Sequence, residues 1–203
     1  MVSNRVIGIL ALQGDFIEHE FVLKQIGVQS KQIRLPQDLD EIDSLIIPGG
    51  ESTTLVYLMN LYHLDKLIVE KVLSGMPVWG TCAGLIVLSK KIREKFPVPL
   101  NLLNIEVSRN AYGRQVDSFE QEIIFDVIGN TPFNSVFIRA PKIISIGNTV
   151  ESLGELNKDT PVAVREKNIL GTSFHPELTS DFRFHNYFIQ NVVWYRYKSI
   201  RNM

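Results

Sequence analysis

Short aliphatic segments alternate with longer amphipathic segments along the first half of the chain. Three of the aliphatic segments, Val6–Leu12, Ser44–Ile47 and Met76–Trp79, have the length and composition of buried strands. Glycine follows each of them within a few residues, and a segment with helical spacing of apolar positions comes next. This repeated order of strand, turn and helix predicts right-handed crossovers and a parallel sheet.

Polar residues at the start of two of these helices are candidates for capping them. Asp15 is expected to cap the first helix, which should end at Gly27. The segment Ser52–Thr54 is expected to cap the second helix. Its apolar face should include the leucines at helical spacing, Leu55, Leu58, Leu61 and Leu64.

The second half of the chain contains shorter apolar segments separated by turns. We expect them to form extra strands, some antiparallel, that extend the same sheet. An aromatic-rich helix should then run from Asp181 to Lys198. No repeat or change in composition marks a second domain, so residues 1–203 are expected to form one α/β domain. The strand candidates are Ile123–Ile128, Val136–Ile138, Ile143–Ile146, Val162–Val164 and Ile169–Phe174.

The composition is that of an ordinary globular protein. Of the 203 residues, 45% are hydrophobic and 21% are charged, and the formal net charge is -1. No run of basic residues indicates a nucleic-acid surface, and no apolar segment is long enough to cross a bilayer. The first residues lack the apolar region of a signal peptide, and a single cysteine cannot form an internal disulfide. We therefore expect a cytoplasmic protein that binds neither nucleic acid nor membrane.

The single cysteine lies between two glycines at a predicted strand-to-helix junction, in the sequence Gly80-Thr81-Cys82-Ala83-Gly84. Such an elbow holds a nucleophile on a sharp turn, which small flanking residues permit. The N-terminus of the following helix favours the thiolate, and the backbone N–H of Ala83 points to where an oxyanion would form. Most lone cysteines are inert core residues, but this context favours a catalytic nucleophile.

A cysteine nucleophile needs a base, and that base needs an orienting acceptor. His175 follows a strand candidate and opens the sequence His175-Pro176-Glu177, which by itself is more often a surface turn. In an extended segment, His175 and Glu177 project to the same side, so Glu177 could set the imidazole tautomer. The other histidines lie in predicted helices without a supporting acid, and packed or solvated roles suit them. They are His19, His63 and His185.

Paired glycines follow another predicted strand, in the segment Pro48-Gly49-Gly50-Glu51-Ser52. Their backbone N–H groups can approach a substrate because no side chain stands in the way. A tight turn capped by Ser52 would explain the same residues. Phosphate binding is a further alternative, although no Gly-x-Gly-x-x-Gly or Walker pattern is present. All three motifs follow strands, and open α/β sheets bind ligands at the carboxyl ends of their strands.

Together these motifs resemble those of the class I, triad-type glutamine amidotransferases. Three further stretches narrow the resemblance to the glutaminase subunits of pyridoxal 5'-phosphate synthase. They are Leu12-Gln13-Gly14 after the first strand, the mid-chain segment Arg109–Phe119 and the later segment Phe137–Pro141. The resemblance extends from about Val6 to the C-terminal helix.

The resemblance implies a flavodoxin-like three-layer fold, a mostly parallel sheet with added antiparallel strands, and hydrolysis of L-glutamine to L-glutamate and ammonia. It implies Cys82 as nucleophile, His175 as base and then acid, and Glu177 as orienting carboxylate, with a glutamyl thioester as intermediate. It implies no cofactor and no metal. Ammonia would pass to a separate, barrel-shaped pyridoxal 5'-phosphate synthase subunit in a hetero-oligomer that makes vitamin B6. The backbones of Gly50 and Ala83 would bind the oxyanion, and glutamine would contact Gly50, Glu51, Ser52, Arg109, Ile138 and Arg139.

The step Gln13-Gly14 after the first strand is a candidate for a switch that depends on the partner. Glycine allows the peptide two orientations, and only one would leave room for the oxyanion. Docking of the synthase could select that orientation, so the chain alone is expected to be a poor glutaminase. A simple strand-ending turn would explain the same two residues.

Three alternatives remain open at this point. The chain could be the glutaminase subunit of another pathway, such as histidine or purine synthesis, although the Arg109–Phe119 segment argues against this. It could be a cysteine hydrolase that acts on peptides or esters. It could also be a non-catalytic regulatory subunit of the same fold. The segments Leu55–Tyr57 and Arg93–Pro99 depart from the family pattern, and the departures bear on partner docking.

Overall fold

The computed structural model describes residues 5–109 and 118–193, in which helices and strands alternate in the first half and strands predominate in the second. The first half contains β1 (Val6–Leu10), α1 (Phe16–Gln25), β2 (Gln29–Ile33), β3 (Ser44–Ile47), α2 (Ser52–Leu61), α3 (Leu64–Leu73), β4 (Val78–Thr81) and α4 (Ala83–Leu88). The second half contains β5 (Ser89–Ile92), β6 (Leu103–Ser108), β7 (Ser118–Ile123), β8 (Phe133–Ile138), β9 (Lys142–Ile146), β10 (Glu151–Glu155), β11 (Pro161–Glu166), β12 (Ile169–Thr172) and α5 (Arg183–Tyr187). Short 3₁₀ helices cover Pro36–Glu41, Asp126–Ile128 and Pro176–Leu178, and a π-helix covers Phe188–Val193.

A seven-stranded sheet forms the centre of the molecule, with the strand order β10-β11-β12-β4-β3-β1-β2. The pairs from β12 to β2 are parallel, whereas β10 and β11 join antiparallel. The predicted parallel sheet with antiparallel additions is therefore confirmed. Because β1, β3, β4 and β12 run in the same direction, the loops that follow them meet at one edge of the sheet.

Successive residues of the central strands face opposite sides of the sheet, because side chains alternate along a strand. Leu45 and Ile47 pack with apolar residues of α2, α3 and α4. Ile46, between them, packs with residues of α1 and α5 on the other side. The sheet thus lies between two layers of helices, and each face buries its own apolar core. This explains why the central strands are hydrophobic throughout and do not alternate with polar residues.

Several of the extra strands do not extend the central sheet, contrary to expectation. β5, β6 and β9 form a separate three-stranded sheet, and β7 and β8 form a two-stranded one. The candidate strand Ile123–Ile128 is also wrong, because β7 ends at Ile123 and a 3₁₀ helix follows. A short apolar run predicts a strand but not its partner, since pairing depends on contacts that are distant in sequence.

The helix boundaries differ from the predicted caps. Glu51, not the Ser52–Thr54 segment, caps α2, because its carboxylate accepts the N–H of Thr54 at 2.7 Å. Asp15 precedes α1 but makes no capping hydrogen bond. The apolar face of α2 is also rotated, since Val56 and Met59 are buried while Leu61 is 53% exposed.

The predicted C-terminal helix Asp181–Lys198 begins at Arg183 and continues as a π-helix to Val193. Residues 194–203 lie outside the described part of the chain. Within residues 5–109 and 118–193, no helix has the length and apolar character needed to cross a membrane.

Candidate active site

Cys82 lies directly after β4 in a conformation that few non-glycine residues adopt, with φ 46° and ψ -101°. A Cβ atom on Gly80 would lie 2.5 Å from the Gly84 carbonyl, and one on Gly84 would overlap the carbonyl oxygen of Ile47. The two glycines are therefore required by the close packing of α4 against β3 and β4. The strained cysteine between them matches the predicted nucleophile elbow, and backbone strain of this kind is concentrated at functional sites.

His175 and Glu177 follow β12 at the same edge of the sheet and are both buried. The Nδ1 atom of His175 lies 2.8 Å from Oε1 of Glu177. The contact was expected from an extended segment, but Pro176–Leu178 forms a 3₁₀ turn, and the turn brings the two side chains together. Since Nδ1 is bound to Glu177, the other ring nitrogen remains for the thiol of Cys82.

Three groups act on the charge of His175. Burial by itself lowers the pKa of His175, but hydrogen bonds with Asp15, Cys82 and Glu177 raise it from 6.5 to about 12. Asp15 Oδ2 lies 3.3 Å from Nδ1. Burial raises the pKa of Glu177, and its hydrogen bond with His175 opposes that shift. The surroundings therefore favour an imidazolium at His175.

The cysteine opens into a cleft of about 550 Å³ at the carboxyl edge of the sheet. Its thiol lies 3.8 Å from the carbonyl oxygen of Ile138, and Arg139 follows with φ 43°. Apart from Glu177, which lies behind His175, every residue predicted for the site lines this cleft. They are Gln13, Gly14, Gly50, Glu51, Ser52, Cys82, Ala83, Arg109, Ile138, Arg139 and His175.

Arg109 and Glu51 form an ion pair on the wall of the cleft, with Nη2 2.9 Å from Oε1. Arg109 also donates from Nη1 to the Thr53 hydroxyl at 3.2 Å and to the carbonyl of Phe96 at 2.9 Å. Phe96 belongs to the segment Arg93–Pro99, which departs from the family pattern. Its carbonyl group therefore helps to hold the guanidinium of Arg109 in place. Residues 110–117 of the mid-chain motif lie outside the described residues.

The candidate switch Gln13-Gly14 packs tightly against the paired glycines. Gln13 Oε1 accepts the N–H of Glu51 at 2.8 Å, and the N–H of Asp15 donates to the Gly49 carbonyl at 3.2 Å. Gly14 has φ 94°, and a Cβ there would overlap the same carbonyl oxygen. These contacts join the loops that follow β1 and β3, and switching itself stays a prediction.

Sequence reasoning missed two residues of this site. Asp15 reaches His175 instead of capping α1. His19, for which no supporting acid was expected, is fully buried, and its Nε2 lies 3.4 Å from Oε2 of Glu177. Their spacing in the sequence could have indicated them. Asp15 and His19 are four residues apart, so they lie on the same side of a helix that begins beside the site. His185 is also buried, as a packed role predicts, whereas His63 is exposed.

One group of possible metal ligands occurs among the described residues. It comprises Asp15, His175 and Glu177, whose ligand atoms lie within 4.8 Å of one another. The same nitrogen of His175 faces both carboxylates. We interpret the group as a histidine held between two acceptors, because a metal on that nitrogen would replace the contact that orients the ring.

Comparison with known sequences identifies relatives along most of the chain. A family model described as the SNO glutamine amidotransferase family matches residues 9–194. A protein from Fervidobacterium nodosum named pyridoxal 5'-phosphate synthase subunit PdxT is 48% identical over 192 residues, which cover 94% of this chain and 99% of that protein. A protein of the same name from Herpetosiphon aurantiacus is 50% identical over 186 residues, covering 90% and 98%.

Solved structures show the same architecture. A crystal structure of a glutamine amidotransferase has a TM-score of 0.86 at 44% identity, covering 91% of this chain and 97% of that one. The structure of PurLQS from Thermotoga maritima has a TM-score of 0.67 at 14% identity, covering 92% and 97%, which concerns the fold alone. The expected α/β fold of the class I amidotransferases is confirmed.

Proposed function

This chain belongs to the SNO glutamine amidotransferase family, and we propose that it hydrolyses L-glutamine through Cys82, His175 and Glu177 and supplies the ammonia to a pyridoxal 5'-phosphate synthase. The observation that supports the triad most directly is the strained Cys82 in a cleft with a buried His175–Glu177 pair at 2.8 Å. Lone buried cysteines are usually inert. A base, an orienting carboxylate and an open cleft together separate this cysteine from that majority.

Attack on the substrate amide starts from the thiolate. His175 takes the thiol proton of Cys82 as base, and Glu177 and Asp15 stabilise the positive charge that His175 gains. The sulfur attacks the side-chain carbonyl carbon of glutamine, and the carbonyl oxygen becomes an oxyanion. The N–H of Ala83 has no acceptor within α4, because the first N–H groups of a helix are unpaired there. With the Gly50 backbone it forms the oxyanion site of this proposal.

Collapse of the tetrahedral intermediate releases ammonia. His175 returns its proton to the departing nitrogen, and a glutamyl thioester remains on Cys82. Water then attacks the thioester, with His175 acting as base, to give glutamate and the free thiol. Glu177 keeps Nδ1 protonated throughout, so the other nitrogen can exchange the proton with sulfur, amide nitrogen and water in turn.

The wall of the cleft matches the amino-acid end of glutamine. Arg109 is positive and Glu51 is negative, and the two lie side by side. Hydrogen bonds from the Thr54 and Thr53 backbones lower the pKa of Glu51 although burial opposes them, so Glu51 stays ionised. Arg109 uses three of its five N–H groups on described residues, which leaves two for a carboxylate. A zwitterionic α-amino acid would bind its carboxylate to Arg109 and its ammonium to Glu51.

Ammonia needs an acceptor, which for this proposal is a separate synthase subunit. The relatives are named as subunits of pyridoxal 5'-phosphate synthase. Partner docking would act on the loop of Gln13 and Gly14, which contacts the loop of Gly49 and Glu51. One domain spanning residues 1–203 and a cytoplasmic location are parts of the same proposal.

Glutamate release from glutamine tests this function directly, measured with and without a cognate synthase subunit. Addition of the partner should raise the rate at least about ten-fold, which corresponds to about 1.4 kcal/mol of barrier. Cys82→Ala should abolish release, and a diazo-ketone analogue of glutamine should label Cys82 in the wild type alone. Glutamate release by Cys82→Ala at the wild-type rate would reject the triad. Equal rates for the isolated chain and the complex would reject the switch but leave the triad standing.

Turnover of peptides or esters in place of glutamine would favour a general cysteine hydrolase. Binding to the synthase without any glutamate release would favour a non-catalytic regulatory subunit. Both assays use the same purified wild-type chain, so the alternatives are compared at equal concentration and folding state.

A further inference from the structure

A chain of buried polar side chains continues from the triad into the helical layer formed by α1 and α5. His19 on α1 and His185 on α5 are both fully buried. Nδ1 of His19 lies 3.0 Å from Nε2 of His185, and Nε2 of His19 lies 3.2 Å from the hydroxyl of Thr81. The same Nε2 lies 3.4 Å from Oε2 of Glu177. Neither histidine reaches the cleft, so the triad chemistry described above uses neither of them.

The two oxygens of the Glu177 carboxylate differ in their hydrogen bonds. Its Oε1 receives the N–H of His175, whereas Oε2 is buried and makes no ordinary hydrogen bond with any described residue. Burial destabilises the charged form of a carboxylate, and each oxygen that lacks a donor adds to this cost. Of the contacts described for Oε2, His19 is the one that brings a nitrogen within ion-pair distance.

We propose that His19 is a positioning residue, which donates its Nε2–H to Glu177 and so holds that carboxylate ionised and aimed at His175. This inference rests on the proposed glutaminase function. The N–H is shared with the Thr81 hydroxyl, which directly precedes Cys82 in the chain. His19 therefore connects the acid of the triad with the strand that carries the nucleophile, and with the helix that follows the Gln13-Gly14 loop.

The contacts of His185 select this tautomer of His19. If Nε2 of His19 donates to Glu177, Nδ1 is a lone pair and accepts the Nε2–H of His185. The opposite tautomer would turn the Nε2 lone pair towards a carboxylate oxygen, which is repulsive. Nδ1 of His185 has no partner among the described residues with either tautomer of His19. With the proposed tautomer this Nδ1 is an unpaired acceptor, whereas with the opposite tautomer it would be an unpaired N–H, which is more costly to bury.

Both histidines must be neutral for this arrangement. Burial lowers the pKa of His19 well below 6.5, and the nearby His185 and His175 add to the effect. Burial lowers the pKa of His185 to about 3. A neutral donor stabilises the charge of Glu177 without adding a second positive charge beside the imidazolium of His175.

Nuclear magnetic resonance of the wild-type protein with ¹⁵N-labelled histidine tests the tautomer without any assay of activity. His19, assigned by loss of its signals in His19→Gln, should be neutral and protonated at Nε2 between about pH 6 and pH 8. A charged His19, or one protonated only at Nδ1, would overturn the proposal. This result does not depend on whether the chain hydrolyses glutamine.

Two amide substitutions test the function of the donor in the assembled complex. The amide of Gln can reach the position of Nε2, whereas the shorter Asn reaches only that of Nδ1. His19→Asn should lower kcat about ten-fold or more with KM nearly unchanged, as expected for one lost hydrogen bond to a charged group. His19→Gln should recover most of kcat. His63→Asn, at an exposed histidine, is the control and should match the wild type.

Equal losses of kcat in the Asn and Gln variants, with both folded by circular dichroism, would reduce His19 to a packing residue and overturn the proposal. Full activity in both variants would overturn it as well. If His19→Asn does not fold, the proposal is tested by the tautomer of His19 that nuclear magnetic resonance shows in the wild-type protein.

Discussion

A methyl group added at Gly49 should disable the site by displacing the base. The backbone at Gly49 lies outside the left-handed region, so alanine is not strained there by its own conformation. Its Cβ atom, however, would lie 2.9 Å from Nδ1 of His175 and 2.8 Å from Oδ2 of Asp15. The imidazole cannot keep its position, because van der Waals contacts to carbon are about 3.5–4.0 Å.

The size of the effect follows from the distance that the ring has to move. The nearest ring atom, Cε1 of His175, would lie 2.4 Å from the new Cβ. Clearing the contact therefore requires a displacement of about 1 Å, which exceeds the tolerance of about 0.5 Å within which catalytic groups are held. A misplacement of about 1 Å reduces rates about a hundred-fold. We therefore expect Gly49→Ala to lower kcat about ten- to a hundred-fold, equivalent to about 1.4–2.7 kcal/mol of barrier.

Glutamate release by the complex, followed over a range of glutamine concentrations, measures this effect. Gly27→Ala is the control, because a Cβ at Gly27 would meet no atom within 4 Å. That control has φ 71° and should lose some stability without losing activity. A Gly49→Ala protein that folds and keeps kcat within about three-fold of the wild type would refute the reasoning, since such a loss is under 1 kcal/mol.

Three further predictions concern the triad, the substrate and the switch. His175→Asn should remove turnover almost completely and Glu177→Gln should be milder, while the double variant should be little worse than His175→Asn because the residues act as a unit; additive losses of kcat would place Glu177 in another role. Arg109→Ala should raise KM about ten- to a hundred-fold with a smaller effect on kcat, as expected for about 1.5–3 kcal/mol of charged hydrogen bonding; an unchanged KM in the complex would make Arg109 a docking or surface residue. Gly14→Ala should lower the free energy of unfolding by about 1–3 kcal/mol, because its Cβ overlaps the Gly49 carbonyl; a thermal melt that matches the wild type would show that the loop yields without cost.

Local patterns predicted the parts of the site that depend on residues close in sequence. The glycines around Cys82 indicated a strained elbow, and the structure adds that each glycine makes a backbone contact too close for a side chain. The pair of His175 and Glu177 was expected for the wrong backbone reason, since a 3₁₀ turn replaces the extended segment. The predicted contact between His175 and Glu177 is nevertheless present, because the 3₁₀ turn also brings these two side chains together.

Contacts between distant segments were not predictable in the same way. Asp15 was expected to cap α1, but its carboxylate lies beside His175, which is 160 positions away in the chain and whose pKa is raised to about 12. A charged partner stabilises a carboxylate more than the N–H groups of a helix end do. Glu51 was expected to contact substrate, and it also caps α2, because its carboxylate accepts the N–H of Thr54.

The sequence by itself determined the class of fold and the family, because aliphatic runs, glycine turns and amphipathic helices are local and repeat in order. It also indicated the candidates for the chemistry, since cysteine, histidine and glutamate occur in motifs that lie at predicted strand ends. The tertiary structure alone decided which strands pair, and therefore that the loops after β1, β3, β4 and β12 share one cleft. It alone placed His19 beside Glu177, because the packing of α1 against the sheet brings these two distant residues together. Buried polar groups are generally hydrogen-bonded, so a donor beside this carboxylate is expected.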